Sequence, residues 1–227
     1  MKVELNNASE PETAAPAKSV GTVRLFEDPA ESDECNRTLI LTTDPGTNVT
    51  VTARQTEDGK APLCEIADVA AAGAMGVLNK GPIARRSPPF PARSLAHRNA
   101  CALLGADALD IVPGIDAGDP DVGFGGWDCE WHSTTRDLDI ELRFDRDQPL
   151  TAADGNPTRL RGYRTFIEAE GDGEETCLVR TVVREYVDQK GRTAIEMLYL
   201  VVSGEQPADR LCSMGTRLAD SAAAALP

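Results

Sequence analysis

Six cysteines, at positions 35, 64, 101, 129, 177 and 212, constrain this chain more than any other feature. None belongs to a Cys-x-x-Cys motif, and neither His97 nor His132 lies at metal-ligand spacing from any of them. Thiol or metal chemistry is therefore the weaker reading. The six fall into three successive couples of similar separation, each with a strand-like segment near one member and a helix-like segment near the other. That arrangement predicts the bridges Cys35–Cys64, Cys101–Cys129 and Cys177–Cys212. Closing a loop of about 30 residues stabilises a fold by roughly 3–4 kcal/mol in the chain-entropy account. Such staples matter here because only 4% of residues are aromatic, so the core must be built from Val, Leu, Ile and Ala. Disulfides also place the chain in an oxidising compartment.

The second constraint is internal repetition. Lys2-Val3-Glu4-Leu5 matches Asp139-Ile140-Glu141-Leu142, and the segment from Gly21 to Glu27 matches that from Gly162 to Glu168. Cys35-Asn36-Arg37-Thr38-Leu39 matches the stretch from Cys177 to Val182, Val49-Thr50-Val51 matches the strand from Ile195 to Leu200, and Leu63-Cys64 matches Leu211-Cys212. The order is preserved throughout. Residues 99–136, which carry Cys101 and Cys129, have no counterpart ahead of Lys2. The expectation is one and a half copies of a disulfide-stapled module, with the native product extending before Met1. The partition predicted is an incomplete first module over 1–86, a Pro-rich linker over 87–98 and a complete second module over 99–227. Four prolines between Pro82 and Pro91 suit neither a helix nor a central strand.

Period-two alternation, as at Leu138, Ile140, Leu142 and Phe144, predicts strands at 21–27, 36–43, 48–54, 128–133, 137–144, 160–169, 176–187 and 193–202. Helices are predicted at 64–79, 99–110 and 207–225. In the first, Ile66, Val69, Ala70, Gly73 and Val77 share one face, read as the core face; in the last, Leu211, Met214, Leu218 and Ala222 do so. Strand runs followed by a helix make the fold class α+β, a mostly antiparallel sheet with helices packed on one face.

The formal net charge of −14 repels phosphate backbones and anionic lipid surfaces, so neither nucleic acid nor an anionic membrane surface is an expected partner, and no membrane insertion by this segment is expected. No apolar run is long enough for a signal peptide or a membrane span. The cysteines outweigh that absence and point to a secreted or cell-surface location, with signal or anchor outside this chain.

Motifs that carry chemistry are few. Asp110, Asp116, Asp119, Asp121 and Asp128 form an acidic, Gly-rich stretch without EF-hand spacing, read as a solvated loop. Neither Gly-x-Ser-x-Gly nor a phosphate-cradling loop occurs. No catalytic residue, cofactor or metal is assigned. Trp131, two residues from Cys129 and on the same strand face, is either a core residue against the Cys101–Cys129 bridge or a ring that stacks on a ligand; it is the one ligand candidate. His132 then faces the opposite side of the strand.

Asn99-Ala100-Cys101-Ala102-Leu103-Leu104, then Pro113-Gly114, then Trp127-Asp128-Cys129-Glu130-Trp131 resemble a family of uncharacterised actinobacterial envelope lipoproteins marked by Cys-x-Leu-Leu and Cys-x-Trp. The Cys177 and Cys212 couple and the terminal Ala-rich helix fit the same pattern. It is similar to the cysteine-stapled extracellular sensor modules of actinobacterial Ser/Thr kinases. The resemblance covers 95–227 and implies an extracytoplasmic α+β module without defined catalytic residues. The functional expectation is a non-catalytic binding or sensor module of the cell envelope, taking a small molecule, a peptide or an envelope component. The alternative is a secreted enzyme with an acidic cleft between modules.

Overall fold

The computed structural model describes residues 2–7, 15–55, 61–81 and 87–226, the first stretch as backbone. They form two compact units, Met1–Pro89 and Phe90–Pro227.

The first unit is one antiparallel sheet and one helix. Its strands are β1 (Lys2–Asn7), β2 (Lys18–Val20), β3 (Val23–Glu27), β4 (Glu34–Leu41) and β5 (Asp44–Arg54), in the order β1-β5-β4-β3-β2. The β2–β3 hairpin turns at Gly21, whose φ of 57° suits the first position of a two-residue type II′ turn. The Thr22 amide of that turn donates to Asn79 Oδ1 at 2.9 Å, tying the hairpin to the end of α1 (Leu63–Leu78). Alternation along β4 and β5 turns Cys35, Arg37, Leu39, Val49, Val51 and Ala53 inward. Arg37 is buried on this face, and its Nε donates to Asp68 of α1 at 2.6 Å.

α1 buries Ala67, Ala71, Met75 and Leu78. This corrects the face predicted from periodicity: Ile66, Val69 and Val77 are exposed. Both faces of this helix are apolar, so spacing alone cannot tell them apart. The bridge Cys35–Cys64, with Cα atoms 5.2 Å apart, and the Arg37–Asp68 pair join this helix to β4.

The second unit is a seven-stranded antiparallel sheet. In chain order its elements are the 3₁₀ turns Leu95–His97 and Cys101–Leu103, α2 (Ala106–Leu109), β6 (Asp121–Val122), the turn Phe124–Gly126, β7 (Asp128–His132), β8 (Asp139–Asp147), β9 (Asn156–Leu160), β10 (Tyr163–Ala169), β11 (Thr176–Val187), β12 (Thr193–Ser203) and α3 (Ala208–Ala224). The order is β6-β7-β8-β12-β11-β10-β9, so its last five strands follow the same order as the first unit's five. The predicted strand 160–169 is β10, shortened at its start because Arg161 and Gly162 take positive φ, 50° and 91°, and turn the chain back along β9, a strand that was not predicted. The predicted helix 99–110 is a 3₁₀ turn and a short helix, interrupted by extended backbone at Leu104 and Gly105.

One sheet face carries the main core. Trp131, Ile140, Leu142, Leu198, Leu200 and Val202 meet Leu211, Leu218 and Ala222 of α3, and Leu95, Leu103 and Leu109 complete it. The face predicted for α3 is therefore the buried one. Cys177–Cys212 ties α3 to β11, and Cys101–Cys129 ties the first turns to β7. A smaller cluster of Leu150, Phe166, Val182, Ile195 and Met197 sits on the opposite face. All three bridges join the partners that their spacing predicts, and the two antiparallel sheets with helices are an α+β fold.

The stretch 87–98 requires a correction. Residues 90–98 belong to the second unit, where Ser94 and Leu95 are buried. Ser94 Oγ accepts from the Ala96 amide, starting the Leu95–His97 turn. Residues 82–86 lie outside the described residues.

Candidate functional site

The pairing of β8 with β12 places Phe144 opposite Leu198 and Arg146 opposite Glu196. These residues share the face that carries α3, near the end of β8 and the start of β12. Here residues 90–97 take over the covering. Phe90, Leu95, Ala96, Trp127, Phe144, Asp145, Arg146 and Glu196 enclose a pocket of about 240 Å³. The chain has two Trp and five Phe; one Trp and two Phe gather here, which sets this pocket apart from the aliphatic core.

Glu196 organises it. Its side chain is 2% exposed, an expensive position for a carboxylate unless fully paired. Arg184 supplies a fork, Nε at 2.8 Å to one oxygen and Nη2 at 2.7 Å to the other. Ser94 Oγ donates at 2.8 Å, the Leu95 amide at 3.1 Å and Arg146 Nη2 at 3.1 Å. Burial alone would raise the pKa of this carboxyl; the hydrogen bonds from Arg184, Ser94 and Leu95, with the charge of Arg184, outweigh it and bring the value down to about 2. The arginines in turn lie on rings: Arg146 is 4.6 Å from the Phe90 centroid and Arg184 4.8 Å from that of Tyr186.

Trp127 forms a wall and remains 41% exposed. Its Nε1 donates to Ala96 O at 3.2 Å, which fixes the ring plane. Phe124 and Val122 lie just ahead of it and are also exposed. Trp131, the ligand candidate from the sequence, is 1% exposed in the main core, so its ring is closed to a ligand. The physical reason is parity: Trp131 shares its strand face with Cys129, and that face lies under the Cys101 segment. The exposed indole is Trp127, outside the strand; Phe124-Gly125-Gly126-Trp127, aromatics around two glycines, is the signal that locates it.

The opposite sheet face gathers carboxylates. Glu130 stands directly across from Glu141 in the β7–β8 ladder, and one oxygen each of Asp128, Glu130 and Glu141 lie within 4.8 Å of one another. Like charges opposed in this way destabilise a sheet. Burial and the neighbouring Asp128 and Glu141 raise the pKa of Glu130; burial raises that of Asp128. Arg143 offsets part of the repulsion through its ion pair with Glu141 and stacks 3.8 Å from the Tyr199 centroid. Each of the three offers one oxygen to the same point, fewer than the six to eight oxygens that calcium takes. Of the acidic stretch seen in the sequence, Asp128 joins this group and Asp121 meets His132 at 3.2 Å.

His132 faces away from Trp131, as strand parity requires, and its ring contacts Asp139 at 2.8 Å and Glu130 at 3.9 Å. The hydrogen bond with Asp139 raises its pKa above the ordinary imidazole range. Glu130, His132, Asp139, Glu141 and Asp172 line an open depression of about 290 Å³.

Comparison with protein-family models, with curated proteins and with solved structures yields no match to this chain.

Proposed function

We propose that the protein is a non-catalytic binding or sensor module of the cell envelope and that the Trp127 pocket takes its ligand. The observation that carries this reading is the pocket's composition. Three aromatic rings enclose a space of about 240 Å³, while its buried charges are used on one another. A general base works best with a pKa near the operating pH, and Glu196, held at about 2, is far from that. Pre-formed apolar walls with a few fixed polar groups are what a binding site needs. The three bridges support an oxidising, extracytoplasmic setting, and no described helix is long and apolar enough to cross a membrane. The shared strand order and the matching strand-to-helix bridges support two copies of one module, the second of them with β6, β7 and the turns before them. The Cys-x-Leu-Leu and Cys-x-Trp resemblance supports an envelope lipoprotein or kinase-sensor setting.

The test is a fluorescence titration with soluble envelope fragments, sugars and peptides. Binding should change the Trp127 emission, and calorimetry of the same ligand with Trp127→Ala should show binding lost while the circular dichroism spectrum stays unchanged. A ligand that binds equally well to Trp127→Ala would refute the pocket assignment.

A secreted enzyme is the second reading. It is favoured by the raised pKa values of Asp128 and Glu130 around the His132 depression, since perturbed carboxylates in a cleft mark catalytic sites. Hydrolysis of an ester or glycoside that disappears in Glu130→Gln would support it; equal turnover in the variant would exclude this site.

A further inference from the structure

Glu196 receives more donors than a carboxylate has places for. Its Oε1 accepts from Ser94 Oγ at 2.8 Å, Arg184 Nη2 at 2.7 Å and Arg146 Nη2 at 3.1 Å, and its Oε2 from Arg184 Nε at 2.8 Å and the Leu95 amide at 3.1 Å. A carboxylate offers about four lone-pair sites, so one of these donors is surplus. Arg146 is the surplus one. Arg184 makes the two-pronged fork with a side chain 21% exposed, whereas Arg146 lends a single N–H and is 43% exposed. Two guanidinium charges face one carboxylate, which leaves one positive charge uncompensated. Among the described residues, Arg146 has no other carboxylate within ion-pair distance. Its neighbours Asp145 and Asp147 belong by strand parity to the other sheet face, where Asp145 acts on Arg143.

This guanidinium lines the Trp127 pocket and is held in place there, 4.6 Å from the Phe90 centroid and 5.9 Å from that of Tyr186. In a chain of net charge −14, a surplus cation against aromatic walls is an exception. The indole N–H of Trp127 is spent on Ala96 O, so that ring offers a ligand only its face. At about 240 Å³ the space lies below the ~300–1,000 Å³ of drug-sized sites, which suits one ring system. We infer that the pocket selects a small aromatic anion, a flat ring stacked between Trp127 and Phe144 with one carboxylate on the N–H groups that Arg146 does not give to Glu196. Arginine suits this task because its planar fork meets a carboxylate with two parallel hydrogen bonds. The inference rests on the Trp127 pocket being the ligand site and adds the charge of the ligand.

Calorimetric titration of the full chain with three probes of similar size tests that charge: indole-3-acetate, its neutral counterpart indole-3-acetamide, and the cation tryptamine. The acetate should bind at least about tenfold more tightly than the acetamide, as charge-assisted hydrogen bonds do, and tryptamine should bind more weakly than either. The preference should shrink in about 0.5 M salt, since Arg146 is half exposed. In Arg146→Gln the ratio of the two affinities should fall towards one, and in Arg146→Lys part of it should remain; Arg184 keeps Glu196 paired in both, which an unchanged circular dichroism spectrum checks. Equal binding of acetate and acetamide, with both lost in Trp127→Ala, overturns this inference and leaves the pocket reading standing. A preference that persists in Arg146→Gln, or one for tryptamine, overturns it too. If none of the probes binds at millimolar concentration, selection of a small aromatic anion is refuted, and the pocket reading falls only if the envelope fragments fail as well.

Discussion

Glu196 shows how one buried carboxylate sets the character of its surroundings. It is anionic because Arg184, Arg146, Ser94 and the Leu95 amide converge on it, and residues 94 and 95 are held in place because it is anionic. Its folded pKa of about 2 lies below the ordinary 4.5. The stabilisation is therefore fully present above pH 4.5 and is lost as pH falls towards 2. At about 1.4 kcal/mol for each pKa unit, this amounts to roughly 3 kcal/mol. Glu196→Gln should flatten the stability profile in that acid window and lower stability at neutral pH by about 3–5 kcal/mol, since it leaves two arginines without their anion. Urea midpoints from pH 2 to pH 7 measure both effects; equal midpoints for wild type and variant at pH 7 would contradict the account. Trp127 and Trp131 give a second prediction. Acrylamide should quench Trp127 and leave Trp131 protected, so Trp127→Phe should leave only unquenchable indole emission.

At the scale of elements, α1 and α3 show how similar apolar helices meet different fates. Met214 is buried and its counterpart Ile66 is 38% exposed. Met214→Ala should cost about 2–5 kcal/mol by emptying core volume. Ile66→Ala should stay within about 0.5 kcal/mol, as surface changes do. Denaturant unfolding of the two variants measures the difference, and equal losses would contradict the exposure of Ile66. The bridges act at the same scale. Without Cys177–Cys212, α3 keeps its apolar face but loses its covalent tie to β11, at a cost of about 3–4 kcal/mol.

Across the whole molecule, the two units differ in what sustains them. The first has one bridge and a core of Val, Leu, Ala and Met beneath a single helix. The second has two bridges, a larger core on one face and a further cluster on the other. Amides of β3, β4 and β5 should therefore exchange at lower urea than those of β8, β11 and β12. Native-state hydrogen exchange resolves the order; the reverse order would mean that the first unit has support beyond its own core and bridge.

Much of this architecture was legible along the chain. Strand alternation and the three cysteine couples led to an α+β fold of mostly antiparallel sheet with helices and to the bridge partners, because periodicity and loop closure are local or nearly local properties. Three things lay beyond that reach. The buried face of α1 is not readable from spacing because both faces are apolar; the tertiary contacts of Cys64 with Cys35 and of Asp68 with Arg37 join the helix to the sheet. The segment from Phe90 to Arg98 looked like linker because its prolines are visible in sequence, whereas the anion that receives Ser94 and Leu95 sits about a hundred residues away in β12. Whether Trp131 packs against the Cys101–Cys129 bridge or meets a ligand stays open in the sequence; its burial in the core decides for packing, and Trp127, outside the strand, is the exposed ring. Tertiary structure decided each case, since burial, charge pairing and pocket formation depend on distances between segments remote in the chain.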